Sequence, residues 1–333
     1  MGRLHSQPIQ KDIKMIDYIK ATKHLQGKDK PFLGHCTLEA NYSSGWARYY
    51  IQGCEKLNIW YSNSLNFLKI EGSIMYYWQG HNFTYCRKEF VLAIKHISTI
   101  LQVNLWDAMI EVFEYGAIIE VQSKPKEYIK NHTAEVKEGL TMNEKPKDKG
   151  NFRWYEDKNV SLKMYDAGRN IQHKQGLKRK GIIKESGWNP EGEYLKWEVH
   201  YLKPEVLNHG KGILLADLMN PNWNDIFKED LYLQYKRLKP MKSILTPTKK
   251  SELTTSDLLV LELVESSLNG GKTLQEIKKL LYARINSISD EVLTKADKDY
   301  RKRQIKALLE KVQEEPESKW DLSAKLEEAL KFE

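Results

Sequence analysis

Leu195-Lys196-Trp197-Glu198-Val199-His200-Tyr201 alternates large apolar residues with polar ones, residue by residue. Strand side chains point to opposite faces in turn. Leu195, Trp197, Val199 and Tyr201 therefore share one face, and Lys196, Glu198 and His200 share the other. Two more stretches carry the same pattern. In Ala108 to Val121, Phe113, Tyr115, Ala117, Ile119 and Val121 oppose Glu114 and Glu120, with Gly116 between them. In Val160 to Asp166, Val160, Leu162 and Met164 oppose Lys163 and Tyr165. Such strands need a cover for their apolar face. The amphipathic helix expected over Arg87 to Val103, with Phe90, Val91, Ile94, Ile97, Ile100 and Leu101 at helical spacing, is one. The expected class is α+β: a central antiparallel sheet with helices on one face, plus a helical C-terminal region.

Outward from this centre, Ile16 to Gly80 is rich in Tyr, Trp and β-branched residues. Punctuated by segments such as Asn41-Tyr42-Ser43-Ser44-Gly45, it reads as several strands joined by tight turns. Ser123 to Asn159 is rich in Lys and Glu and reads as a short helix followed by a loop through Asn143 to Gly150. Helical segments are expected near Gly212 to Met219 and over Asn222 to Lys236. Beyond Lys239-Pro240, Leu245-Thr246-Pro247-Thr248 reads as a linker. Thr254 with Asp257, Thr273 with Glu276 and Ser287 with Asp290 each place a hydroxyl three residues before a carboxylate, the capping-box spacing of a helix start. The expected division is an N-terminal extension over 1–14, one large domain over 15–240, and a helical domain or arm over 241–333.

With 333 residues and 41% hydrophobic content, the chain can bury a sizeable core. Its 53 Lys and Arg against 45 Asp and Glu leave a net charge of +8, which favours a polyanionic partner without naming it. Three widely spaced cysteines, Cys36, Cys54 and Cys86, make neither a zinc motif nor a disulfide framework, which fits a reducing cytoplasm. No apolar run approaches the roughly 18 residues that span a bilayer, and the N-terminus lacks the apolar core of a secretion signal. No membrane partner is expected. Gly270-Gly271-Lys272-Thr273 imitates the end of a phosphate-binding loop but has Ser266 where that loop needs glycine, so it reads as a turn between helices.

If the three strands share a sheet, their polar face collects Glu114, Lys163, Tyr165, Lys196, Glu198 and His200. Any sheet with one solvated face shows such alternation, and carboxylates and lysines are ordinary surface residues. The same set is also what phosphoryl transfer requires. Two carboxylates suit a hard, oxygen-preferring ion such as Mg²⁺ or Mn²⁺. A tyrosine becomes a nucleophile when a metal or a cation favours its phenolate, and Lys163 and Lys196 would stabilise charge on a phosphate.

Tyr77-Trp78-Gln79-Gly80-His81-Asn82-Phe83, followed by a helix and then Ile110-Glu111-Val112-Phe113-Glu114-Tyr115-Gly116, resembles the Q-G-H-N segment and acidic strand of phage and plasmid replication proteins of the gene II/X family, the filamentous-phage nickases and their relatives. Leu162-Lys163-Met164-Tyr165-Asp166 and Leu195-Lys196-Trp197-Glu198-Val199 resemble the family's K-x-Y-D motif and its R-x-E-type strand. The four signals keep their order across Ile16 to Lys236. The resemblance implies a rolling-circle replication initiator in which Tyr165 cuts one strand at an origin, giving a 5′-phosphotyrosyl link and a free 3′ hydroxyl. Lys163 and Asp166 accompany Tyr165, Glu114 and Glu198 match the metal-binding positions, and Mg²⁺ or Mn²⁺ is the implied cofactor. The implied partners are origin DNA, single- or double-stranded, with a host helicase and polymerase. Where family members often have Lys after the Tyr-Asp pair, this chain has Ala167. It also lacks the paired histidines of the His-hydrophobe-His initiators, so carboxylate-led coordination is expected, with His81 or His200 as additional ligands. Lys196, His200, His81 and the run Lys178-Arg179-Lys180 are the expected DNA contacts. Two alternatives stay open: a mobilisation relaxase using the same chemistry, and a non-catalytic DNA-binding protein.

Overall fold

The computed structural model describes residues 14–26, 29–134, 138–175, 179–241, 244–245, 254–314 and 318–331. Residues 1–13 of the expected N-terminal extension and most of the Leu245 to Thr248 linker lie outside them, while Lys14, given to that extension, pairs with Ala117 in the sheet. The chain divides into two compact units, one of residues 1–239 with 322–333 and the other of 240–321.

The first unit is built on a ten-stranded sheet of β1 (Lys14–His24), β2 (Cys36–Asn41), β3 (Ala47–Ile51), β4 (Cys54–Ser62), β5 (Phe67–Ser73), β6 (Met109–Val121), β8 (Thr141–Glu144), β9 (Phe152–Glu156), β10 (Val160–Asp166) and β11 (Glu193–Tyr201); the short β7 (His132–Ala134) lies outside it. The order is β2-β3-β4-β5-β1-β6-β11-β10-β9-β8, and each neighbouring pair is antiparallel. The fold is α+β with a large antiparallel sheet. The three amphipathic strands read from sequence sit side by side, β6 against β11 and β11 against β10. Register places Lys163 opposite Glu198, Tyr165 opposite Lys196, and His200 opposite Glu114.

The apolar face of these strands is sealed by helices. α3 (Pro125–Lys130) packs on β10 and β11, and α6 (Pro221–Lys236) on β6 and β11. Phe113 stacks on Tyr201 at 4.7 Å, Phe227 of α6 closes on Phe113 at 5.0 Å, and the Trp197 indole donates to the Leu231 carbonyl at 3.1 Å. Burying each such large side chain contributes about 1.5–3 kcal/mol. α1 (Ile74–Gln79) packs on β4 and on α2 (Arg87–Leu101), which buries Phe90, Ala93, Ile94, Ile97 and Leu101. On the opposite face, α4 (Ala167–Gln175) and α5 (Arg179–Glu185) supply Ile171 and Ile183 to a cluster with Ile118 and Tyr194, closing one end of the polar face.

Several expectations need correction. Ile74–Gln79 is a helix, because Ser73 caps it by accepting from the Tyr76 amide and Gly80 ends it in the left-handed conformation. The stretch read as a short helix and a loop also holds β8 and β9 on either side of that loop, whose mixed lysine and aromatic content hid their alternation. Gly212 to Met219 forms no α-helix: the Ile110 amide donates to the Ile213 carbonyl and the Leu215 amide to the Ala108 carbonyl, and a turn then leads into the short 3₁₀ helix Asp217–Met219. Ser287 ends a helix, donating to the Arg284 carbonyl.

In the second unit, α7 (Thr255–Asn269), α8 (Leu274–Asn286) and α9 (Lys295–Lys311) enclose Leu261, Val264, Leu268, Ile277, Leu308, Leu309 and Val312. The capping boxes at Thr254 and Thr273 are present, and the third belongs to Thr294 with Asp297. The last helix, α10 (Ser323–Lys331), belongs to the first unit and packs on α6 and β6, with Leu322 and Leu326 fully buried. This corrects the expectation that all of 241–333 forms one helical domain or arm.

Leu326→Ala should therefore lower unfolding stability by about 2–5 kcal/mol, whereas Leu259→Ala, at a side chain 65% exposed, should change it by less than about 0.5 kcal/mol. Denaturant titration checks both. A chain ended near Ser251 loses α10 and should melt at least about 5 °C below the full chain.

Candidate functional site

The polar face of β6, β10 and β11 forms a buried charge cluster that gains a member from β1. The β1–β6 register shifts between Ile16 and Ile19. Ile16 pairs with Tyr115 and Ile19 with Phe113, so Asp17 and Tyr18 together oppose Glu114, the two-against-one geometry of a β-bulge. The extra residue lets Ile16 and Ile19 both face the core while Asp17 turns into the polar cluster. Parity assumes an unbroken pleat, which is why it missed Asp17.

Asp17 is fully partnered. Oδ1 accepts from the Ser73 hydroxyl at 2.9 Å, and Oδ2 accepts from Asn82 Nδ2 and Lys196 Nζ, both at 2.5 Å. This explains Gln79-Gly80-His81-Asn82. Gly80 turns the chain out of α1 with φ 79°, and Gln79 Nε2 ties the turn to the His81 and Thr84 carbonyls at 3.1 and 2.8 Å. Asn82 is thereby delivered to Asp17. His81 stays in the turn, with Nδ1 3.4 Å from the Phe83 amide, and burial lowers its pKa, favouring the neutral ring.

Lys196, only 2% exposed, also reaches Glu198 Oε2 at 2.9 Å. Lys163 donates to Glu114 and lies 3.7 Å from Glu198 Oε1, and His200 Nδ1 sits 2.7 Å from Glu114 Oε1. Tyr165 donates to Glu198 Oε2 at 3.0 Å, and Lys196 Nζ lies 5.6 Å from its ring centre. Gly116, opposite Glu198, leaves the space this crowd needs: a Cβ there would stand 2.7 Å from both Glu198 Cβ and the Trp197 carbonyl oxygen.

These contacts set the protonation states. Burial alone would raise the Glu114 pKa, but the His200 hydrogen bond and Lys163 outweigh it and hold Glu114 at about 2. Burial and the charge of Glu114 push Glu198 up, against the pull of Lys196. Burial and Glu198 raise Tyr165 well above the ordinary phenol range while Lys196 opposes them, so the resting side chain is a phenol. Lys196 stays charged because Asp17 and Glu198 overcome its burial.

The expected site residues thus separate into two groups. Glu114, Lys163, Tyr165, Lys196, Glu198 and His200 come together, and Asp17 and Asn82 join them. Asp166 lines the cleft but also caps α4, Oδ1 accepting from the Arg169 amide at 2.7 Å. Lys196 is too buried to be a surface DNA contact. Lys180 pairs with Glu191 at 2.7 Å on the exposed surface, and Lys178 and the Arg179 side chain lie outside the described residues.

Asp17, Glu114 and Glu198 each offer an oxygen within 4.8 Å of the others'. Three hard carboxylate donors, with two lysines leaving one excess negative charge, fit a divalent cation such as Mg²⁺ or Mn²⁺. Above them opens a cleft of about 460 Å³ whose lining includes Lys145, Lys147, Arg169 and His173 along with Asp148 and Asp166, so an acidic floor meets a rim on which the cations outnumber the carboxylates. Lys145, Lys147 and His173 were not singled out from sequence, because loop lysines and a helix histidine carry no pattern of their own. Among the described residues no helix is long and apolar enough to cross a membrane. No family model, no curated protein and no solved structure matches the chain.

The depressed Glu114 pKa contributes stability above its unfolded value of 4.5, lost as pH falls toward about 2, on the order of 3 kcal/mol across that window. Glu114→Gln should flatten the acid limb of stability measured by urea titration between those values. Lys163 competes with a cation for Glu114 and Glu198, so Lys163→Met should raise Mn²⁺ affinity, read by calorimetry; a weakened affinity would contradict the carboxylate site.

Proposed function

We propose that this protein is a rolling-circle replication initiator that nicks origin DNA with Tyr165. The observation that carries the reading is the Tyr165 hydroxyl, 3.0 Å from Glu198, among three carboxylates and two buried or half-buried lysines on the floor of a basic-rimmed cleft. The ordered resemblance to the gene II/X replication proteins supports it further, since its tyrosine and both acidic positions meet in one cluster.

Each group has a task. The rim cations Lys145, Lys147 and Arg169 draw the DNA backbone into the cleft. The Tyr165 oxygen bonds to phosphorus as the bond from phosphorus to the 3′ oxygen breaks, leaving a 5′-phosphotyrosyl link and a 3′ oxygen that becomes a hydroxyl by taking a proton from solvent. Glu198 accepts the phenolic proton along the existing hydrogen bond, and Lys196 beside the ring favours the phenolate. Lys163 faces the developing charge on the phosphate. A divalent ion held by Asp17, Glu114 and Glu198 would supply polarisation of a nonbridging phosphate oxygen. Asn82 and Ser73 fix the Asp17 carboxylate.

Incubating the protein with Mn²⁺ and a supercoiled plasmid carrying the DNA beside its gene should yield nicked circles with protein covalently attached. Tyr165→Phe should abolish nicking and leave DNA affinity within a few fold. Asp17→Asn and Glu198→Gln should each cut the rate by at least about 100-fold and raise the Mn²⁺ requirement. Full nicking by Tyr165→Phe would move the nucleophile elsewhere, and binding without any nicking would favour a non-catalytic DNA-binding protein.

A further inference from the structure

Phe152 and Trp154 of β9 stand on the same sheet face as Tyr165 and take no part in the charge cluster. Register sets Phe152 opposite Tyr165 and Trp154 opposite Lys163. The ring centres step from Tyr165 to Phe152 at 6.1 Å and on to Trp154 at 5.5 Å, with interplanar angles of 38° and 40°. Lys145, exposed just after β8, holds its ammonium 6.0 Å from the Phe152 ring centre and 5.4 Å from that of Trp154. Tyr155, next along the strand and on the other face, is fully buried, whereas Phe152 and Trp154 are only half-buried. Phe152 and Lys145 line the cleft itself.

A half-exposed pair of rings running outward from the cleft, with lysines alongside, matches what an unpaired DNA strand requires. Each base offers a π-face to stack on an aromatic ring, and the backbone takes the positive charge. A duplex has already stacked its bases on one another and would have to open to use these rings.

We propose that Phe152 and Trp154 form a stacking platform for unpaired bases beside the scissile phosphate, flanked by Lys145 and Lys147. The proposal rests on the reading that the cleft receives a DNA phosphate. It goes beyond that reading by assigning the contacts to bases to two side chains outside the charge cluster.

The test uses the full chain carrying Tyr165→Phe and three dye-labelled 12-mers read by fluorescence anisotropy: a single strand, an abasic strand of the same length, and a duplex. The normal single strand should bind at least about five-fold more tightly than the abasic one. Phe152→Leu with Trp154→Leu should erase that difference and leave abasic and duplex affinities unchanged. Phe152→Tyr with Trp154→Tyr keeps both rings and should retain the preference, which separates stacking from misfolding. Lys145→Ala should weaken normal and abasic strands alike. Equal affinity for normal and abasic strands in the starting protein, a preference that survives loss of both rings, or its loss in the ring-retaining variant would each overturn the platform. A nicking assay of the otherwise unaltered chain reports separately on the Tyr165 chemistry: no nicking alongside a ring-dependent preference would sink the catalytic reading and leave the platform standing.

Discussion

The ammonium group of Lys196 is almost wholly removed from water and persists charged only because Asp17 and Glu198 lie 2.5 and 2.9 Å from it. An unpaired buried charge costs several kcal/mol, so the fold must bring those carboxylates to it from two strands. Asp17 arrives through the β1 bulge, and Glu198 sits two residues along β11 over the space left by Gly116. Asn82, carried round by the turn after α1, and Ser73 complete the partners of Asp17. A bulge, a glycine and a tight turn far apart in the chain are thus consequences of one buried cation.

The same constraint makes the site poised. Replacing buried ion pairs by apolar residues is often neutral or stabilising, so the cluster is expensive architecture if its only task is to hold strands together. Its carboxylates are held close to one another by lysines, and the phenol of Tyr165 is kept protonated by burial and by Glu198. Charge delivered to this floor, whether phosphate or cation, exchanges with contacts that already exist, which limits the reorganisation needed.

The two faces of the central sheet divide the labour. One packs Phe113, Trp197, Tyr201 and Phe227 beneath α6, making a stiff base for the other. The polar face is closed at one end by the Ile118 and Tyr194 cluster under α4 and α5 and opens at the cleft beside β9. A rigid sheet holds side chains more precisely than loops do, which suits chemistry that depends on tenths of an ångström.

Much of this was legible in the sequence. The alternation in β6, β10 and β11 determined which residues share a face, so Glu114, Lys163, Tyr165, Lys196, Glu198 and His200 could be grouped before any strand was paired. Two capping boxes marked helix starts in the second unit, while the Ser287 spacing misled because a hydroxyl and a carboxylate three apart also occur past a helix end. Asp17 was hidden because a bulge breaks the period of two on which parity rests. Asn82 was hidden behind the more conspicuous His81, since only the turn geometry decides which of them points at Asp17. Local sequence sets the direction of a side chain along its own strand or helix. Which strands become neighbours, where a bulge resets the pleat and how far a charge is buried are decided by long-range packing, which put Asp17 beside Lys196, 179 residues away.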